Sequence, residues 1–251
     1  MVLENIISVK QTEKNPIYAF FLGVMLTSIA ILLGYRVFLS NAGLATIAFI
    51  IMGSMPFLRK LISIEEKEEA QANTFKKAFK RNEPIIWLFL NFYLGIALTY
   101  FLVSSFLSPE LSEILFKAQQ NVFSGSITYS LDNFDLAPII GNNLGIILLS
   151  LILSLLYGVG AVFIITWNAS VLGTFLAYKG FPALLKYLPH ATVEFLAFFM
   201  AAIAGSILSE AIEKKDYKGD RFKNILRDVG LLVSLSVALI IIAAVIEVSV
   251  I

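Results

Sequence analysis

Long stretches without a charged residue dominate the pattern of polar and apolar positions along the chain. Residues 15–58 contain a single charge, Arg36, and residues 84–109 and 137–178 contain none. A hydrocarbon core of about 30 Å needs about 20 apolar residues in each helix that crosses it. Because only helices and closed barrels satisfy the backbone in lipid, the pattern predicts an all-α, polytopic helical membrane protein.

The charge-free runs accommodate six to seven transmembrane helices, including one short or broken crossing. The run at 137–178 is too long for one span. We expect a full helix over 139–166 and then a broken crossing, because Gly180 and Pro182 weaken a continuous helix. The expected spans are 17–35 and 44–58, which form a hairpin, then 84–109, 139–166, 168–187, 188–209 and 229–246.

Composition agrees with a membrane protein and excludes several classes of function. Hydrophobic residues make up 58% of the chain and charged residues 15%. A net charge of +1 provides no field that would attract nucleic acid, so the expected partner is the lipid bilayer. With no cysteine, the chain has no disulfide, thiolate metal site or cysteine nucleophile.

Basic residues predict the orientation in the membrane. Of the 19 basic residues, seven lie at 59–81 and six at 214–227, and we call these the two basic stretches. Both are expected in the cytoplasm. An even number of crossings must then separate them, which gives seven crossings in total. The chain is therefore expected in the cell membrane as a multi-pass protein with a cytoplasmic N-terminus and an external C-terminus.

The same pattern divides the chain into three regions. A transmembrane hairpin occupies 1–62, a cytoplasmic amphipathic linker helix 63–83, and a larger transmembrane domain 84–251. That domain contains an external segment at 108–137. There Ser108, Pro109 and Glu110 indicate a helix start, and a loop is expected from Ser124. The predicted apolar face of this external helix comprises Leu111, Ile114, Leu115, Ala118 and Val122.

Polar side chains inside the spans are the candidates for function, because an unsatisfied polar group is costly in lipid. His190 is the only histidine, and Glu194 follows it by four residues on the same helical face. The pair has three interpretations: a hydrogen bond that locks helices together, part of a divalent metal site, or a proton or ion relay. We expect Asn142 and Asn143 at the same membrane depth, joined by Asn168 only through a kinked or broken helix. No cofactor is expected apart from that alternative metal.

Glycines at helical spacing indicate close helix packing and self-association. Gly141 and Gly145 form a G-x-x-x-G pattern that lets a neighbouring helix approach closely. Gly158, Gly160 and Gly205 are further candidate packing positions. None of the catalytic motifs that we sought, among them a nucleophile elbow, a phosphate loop and HExxH, occurs in the sequence, so no enzymatic activity is expected.

Several of these motifs occur together in a fixed order. They are Ile140-Gly141-Asn142-Asn143-Leu144, a helix with Gly158 and Gly160, Asn168-Ala169-Ser170-Val171-Leu172-Gly173, Leu188-Pro189-His190-Ala191-Thr192-Val193-Glu194, and Ala204-Gly205. In order and spacing the series resembles the stage II sporulation protein M family of prokaryotic membrane proteins, over about 84–251. The resemblance implies a polytopic protein that, in spore-forming bacteria, takes part in engulfment beside cell-wall hydrolases as their membrane scaffold.

The expected function follows from that resemblance. It is a non-enzymatic integral membrane scaffold or assembly factor of the cell envelope, homo-oligomeric through its glycine-rich helices, with other envelope proteins as further partners. The alternative is a transporter or channel with a midmembrane polar site around His190 and Glu194.

Overall fold

The computed structural model of the chain describes residues 12, 15–65, 75–129, 136–157, 160–213 and 220–250, and nearly all of them are helical. In those residues the regular elements are seven α-helices and one 3-10 turn, which confirms the all-α fold. The helices are α1 Ile17–Val37, α2 Ala42–Glu65, α3 Phe75–Phe106, α4 Pro109–Tyr129, α5 Leu136–Tyr157, α6 Gly160–Glu213 and α7 Asp220–Val250.

Six of these helices are long and apolar enough to cross a membrane, so the chain is a polytopic membrane protein. The six candidate spans are Ile17–Val37, Leu39–Leu58, Ile86–Phe106, Leu136–Leu155, Val162–Ser209 and Phe222–Ser249. The predicted hairpin is present as α1 and α2, which pack together and are joined by the 3-10 turn Leu39–Asn41. Part of the predicted linker helix, 66–74, lies outside the described residues.

The predicted helix over 139–166 includes residues 158 and 159, which lie outside the described residues. On either side of them the structure describes α5 up to Tyr157 and α6 from Gly160.

The predicted break at the end of the charge-free run is present at Gly180. This residue has φ 78° and ψ 171°, a conformation that glycine adopts readily because it lacks a Cβ. The span Val162–Ser209 has 48 residues, about 70 Å as one helix, or more than twice the thickness of a hydrocarbon core. The break divides α6 into two segments, each long enough to cross a membrane.

The second segment of α6 starts earlier than predicted. Pro182 lies in its first turn, where a missing N–H removes no helical hydrogen bond. The expected start at Leu188 is wrong, since the helix continues through Pro189 without a non-helical residue. A proline inside a helix was read as a boundary, although transmembrane helices tolerate proline where other groups satisfy the freed carbonyl.

The described chain forms two compact units. The first unit comprises the described residues of 1–126 and 165–180, and the second those of 127–164 and 181–251. α6 contributes to both units, and Gly180 is the last residue that it gives to the first.

In the first unit, α1 and α3 cross with their backbones in contact. A Cβ at Gly23 would lie 2.6 Å from the carbonyl oxygen of Phe92, and a Cβ at Gly95 would clash with the carbonyl of Phe20. Helices in lipid associate through van der Waals packing of this kind, because lipid tails are as apolar as the side chains. The two glycines therefore fix where α1 and α3 cross.

Helix α4 starts as predicted but packs through a different face. The Oγ of Ser108 accepts the N–H of Leu111 at 3.4 Å, so Ser108 caps the helix. In the predicted face, Ile114 and Val122 are exposed and Leu115 is buried. The buried face instead comprises Ser112, Leu115, Phe116 and Gln119.

Helix α4 also has a kink within its buried face. Phe116 has φ −122° and ψ 20°, and its ring packs against that of Tyr100 in α3 with centroids 5.2 Å apart. The buried residues still recur every three or four positions, so they form one regular helical face that is shifted by about one position from the predicted one. The predicted loop from Ser124 is also wrong, since α4 continues to Tyr129.

The second unit has its own core at the crossing of α5, α6 and α7. Its buried members are Ile147, Ile164, Ala197, Phe198, Ala201 and Ile240. A Cβ added at Gly205 of α6 would lie 3.0 Å from the carbonyl oxygen of Leu151 in α5. This close approach brings α5 and α6 together beside the polar residues described next.

Candidate polar site in the membrane spans

A hydrogen bond between α5 and α6 joins two of the predicted polar residues. The Nδ2 of Asn143 donates to Oε1 of Glu194 at 2.6 Å. Asn143 is buried, with 6% of its surface exposed, and Glu194 is partly buried. Both residues lie inside candidate spans, where an amide or a carboxyl without a partner is costly. The bond therefore ties the two helices together at a defined register.

His190 lies one turn before Glu194, but no hydrogen bond joins the two residues. The ring is buried, with 6% exposed, and its Nδ1 has no hydrogen-bond partner among the described residues. Its edge packs on Tyr187 with ring centroids 5.6 Å apart. The helix-locking interpretation therefore applies to Glu194 with Asn143, and not to Glu194 with His190.

Glu247 on α7 is a third member of this site that the sequence analysis missed. Its carboxylate is close enough to Glu194 for the two like charges to repel each other. The sequence analysis treated Glu247 only as the end of the last span. No spacing rule connects residues on α6 and α7, so only packing could reveal the pair. We call Asn143, Glu194 and Glu247 the glutamate site.

The chemistry of the glutamate site is that of two carboxyl groups and one amide. Within the described residues no basic side chain forms an ion pair with Glu194. Two carboxylates in a membrane interior are mutually destabilising unless a proton or a cation neutralises one of them. No group of three or more His, Cys, Asp or Glu residues that could hold a metal ion occurs among the described residues.

The two consecutive asparagines of α5 have different surroundings. Asn143 points to Glu194, whereas Asn142 is exposed, because successive residues of a helix are about 100° apart around its axis. Asn168 belongs to the other unit, on the part of α6 before Gly180. The expected meeting of four residues is thus reduced in the structure to the direct contact of Asn143 with Glu194.

The glycines predicted to pack helices also differ among themselves. Gly205 packs on α5, whereas a Cβ at Gly141 or Gly145 would meet no described atom within 4 Å. Gly160 is the first residue of α6, and Gly158 lies outside the described residues. Within one chain, then, the G-x-x-x-G pattern of α5 faces open space.

A second group of buried polar residues, in the first unit, was not predicted. The Nε2 of Gln119 in α4 donates to Oγ of Ser170 in α6 at 3.3 Å. Tyr100 of α3 is fully buried, as are Gln119 and Ser170, and its hydroxyl has no hydrogen-bond partner among the described residues. A Cβ at Gly43 would lie 2.8 Å from Oε1 of Gln119. Gln119 was not predicted because it lies outside the expected spans, and only polar residues inside those spans were taken as candidates.

Comparison with known proteins supplies one match. The sequence model of the family described as Stage II sporulation protein M matches residues 88–250. These residues include all of α5, α6 and α7, and with them the glutamate site. No curated protein and no solved structure matches the chain.

Proposed function

Because the chain belongs to the stage II sporulation protein M family, we propose that it is a non-enzymatic membrane scaffold or assembly factor of the cell envelope. In this role it holds copies of itself and other envelope proteins together in the membrane. The proposal places it in the cell membrane as a multi-pass protein with a cytoplasmic N-terminus.

The observation that supports a scaffold is the small buried fraction of α5. Only 17% of its span is buried inside the chain, against 44% for each of α1, α2 and α3. A helix with so little of its surface used within one chain has most of it available to other helices. The exposed surface also includes glycines, which favour contact with a neighbouring backbone over contact with lipid.

The orientation is supported by the two basic stretches. Between them lie α3, α5 and the two segments of α6. If each of these four crosses the membrane once, both basic stretches lie on the same side. The break at Gly180 thus supplies the even number of crossings that a cytoplasmic position of both stretches requires.

In the scaffold, the glutamate site has a structural role. The bond from Asn143 to Glu194 connects α5 to α6 and fixes the rotation of α5 about its axis. That rotation determines which side chains α5 presents outside the chain.

A second candidate function is transport of a proton or cation, and the position of Glu194 inside a candidate span favours it. Ionisable groups inside a membrane are typical of ion and proton pathways. In this alternative the glutamate site binds a proton or cation from one side of the membrane and releases it to the other. In the scaffold no proton or cation crosses the membrane at this site.

Flux measurements on the purified chain separate the two functions. Liposomes that contain the chain and an entrapped pH or cation dye are compared with protein-free liposomes under an imposed gradient. The scaffold predicts no added flux, together with a stoichiometric envelope protein that co-purifies from native membranes after crosslinking. Flux that Glu194→Leu abolishes and Thr192→Val preserves would establish transport instead, because Thr192 is exposed and its hydroxyl bonds only to the carbonyl of Leu188.

A further inference from the structure

From Pro138 onward, the residues of α5 that the structure shows as exposed form one continuous stripe along the helix. They recur every third or fourth position, which places them on a single face. The stripe comprises Pro138, Gly141, Asn142, Gly145, Leu148, Leu149, Ile152 and Leu155. We call it the α5 stripe.

Asn142 distinguishes the α5 stripe from a surface made only for lipid. It is the seventh residue of α5, about 9 Å along the axis from the first, and so inside the hydrocarbon layer if α5 spans it. Its side chain is exposed and has no hydrogen-bond partner among the described residues. Lipid tails offer an amide neither donor nor acceptor, so this surface is costly to leave uncovered.

Other polar side chains of the spans, such as the half-buried Asn91 and the exposed Ser234, form hydrogen bonds within their own helix. Asn91 in α3 donates to the carbonyl of Trp87 at 2.8 Å. Ser234 in α7 donates to the carbonyl of Gly230 at 2.7 Å. Asn142 makes no corresponding bond to Pro138, the residue four positions earlier. Its amide is therefore available to another helix.

We propose that the α5 stripe binds the α5 stripe of a second copy of this chain, with the two Asn142 amides hydrogen-bonded to each other across a two-fold axis. An amide carries both a donor and an acceptor, so two identical amides satisfy each other. A two-fold interface brings each residue near the axis against its own copy. Gly141 and Gly145 beside the amide permit the close approach that the bond requires, since neither has an atom within 4 Å of its Cβ position.

The second copy extends the proposed scaffold function and rests on it. The bond from Asn143 to Glu194 holds α5 in the rotation that directs Asn142 outward. The glutamate site and the dimer contact are thus adjacent positions of one helix, one facing inside the chain and the other facing the partner.

Disulfide crosslinking tests the proposal directly, because the chain has no cysteine of its own. Single cysteines at Leu149 and Ile152 report on the α5 stripe. Ile241 on α7 is the matched control, since it is an apolar span residue with 47% exposed, against 45% for Leu149. After mild oxidation in native membranes, the stripe positions should form dimers and Ile241→Cys should not. Equal crosslinking at Ile241 would indicate random collision and overturn the proposal.

Amide variants in the Leu149→Cys background test the contact itself. Asn142→Leu should lower the dimer association constant about 5- to 30-fold, the range for an interhelical amide bond in model membrane peptides. Asn142→Gln should retain most of the association, since it keeps both donor and acceptor. An unchanged association constant in Asn142→Leu would mean that the amide bonds elsewhere, and the proposal would be wrong. If the chain is monomeric but still co-purifies with a stoichiometric envelope protein, this inference fails and the scaffold function stands.

Discussion

Replacing Glu194 with leucine should destabilise the protein, because Glu194 is the one hydrogen-bond partner of the buried Asn143 amide within the part of the chain that the structure describes. Asn143 has 6% of its surface exposed and donates to Glu194 at 2.6 Å. Leaving a buried donor unsatisfied costs about 1 to 3 kcal/mol, while measured interhelical bonds in a membrane protein reach about 1.7 kcal/mol. We therefore expect a loss of about 1 to 2 kcal/mol in the free energy of unfolding.

Two further variants show whether the hydrogen bond causes that loss. Glu194→Gln keeps an acceptor for Asn143 and removes the repulsion from Glu247, so its stability should equal or exceed that of the unchanged protein. Combining Asn143→Leu with Glu194→Leu replaces both partners by apolar groups. The double variant should lose at least about 1 kcal/mol less than the sum of the two single losses.

The assay is thermal unfolding of the monomeric protein in mild detergent, followed by circular dichroism. A loss of about 1 to 2 kcal/mol corresponds to a fall in Tm of about 2 to 8 °C for a chain of this size. Thr192→Val, on the same helix, is the control and should change stability by less than about 0.5 kcal/mol. If Glu194→Leu unfolds at the same temperature as the unchanged protein, or the two single losses simply add, the hydrogen bond contributes nothing. Destabilisation by Glu194→Gln together with a bound divalent ion would indicate a metal site.

Three other perturbations have definite expected outcomes. Single cysteines in the two basic stretches should label only from the cytoplasmic side, and external labelling of either stretch would contradict the seven-crossing topology. Gly95→Leu should destabilise the first unit by about 1 to 3 kcal/mol. Gly230→Leu is the control and should not destabilise the protein, because no described atom lies within 4 Å of a Cβ added there. Equal losses of the two variants in thermal unfolding would contradict the backbone contact of α1 and α3. Hydrogen bonds from its own backbone N–H and from Ser108 lower the pKa of Glu110. The contribution of Glu110 to stability is therefore present above the ordinary carboxyl pKa and is lost as the pH falls through the lowered pKa. Ser108→Ala should raise the pKa of Glu110 in an NMR titration, and an unchanged pKa would show that Ser108 does not lower it.

Hydropathy predicts most of the spans because the bilayer imposes a length on each of them. The ends of the hairpin, of α3 and of α7 were visible in the sequence, since charged residues flank them. Within 137–178 no charge marks where one span ends and the next begins. Only helix propensity, a weak signal, distinguishes positions within that run.

The glutamate site could be predicted in part, because polar residues in spans are rare. Asn143 and Glu194 were both identified from that rarity. Their pairing depends on how α5 and α6 pack against each other, and no local sequence pattern records that packing. The four-residue spacing suggested His190 as the partner of Glu194, since spacing within one helix is all that a sequence displays.

Glu247 and Gln119 show the corresponding limit for polar residues that the sequence analysis did not select. Glu247 directly follows the last predicted span, yet its carboxylate acts on Glu194. Gln119 lies on α4, outside the candidate spans, and is fully buried against Ser170. The sequence places each of these residues only within its own segment, whereas each interacts with a helix elsewhere in the chain.

Native mass spectrometry of the protein, released from native membranes with its surrounding lipid, tests the proposed scaffold most directly. One chain has a mass of 27.7 kDa. Assembly through α5 predicts particles that contain two or more copies of the chain, and predicts that Asn142→Leu shifts them towards single copies. Particles that contain one copy alone at native abundance, with no second envelope protein, would contradict the proposed function.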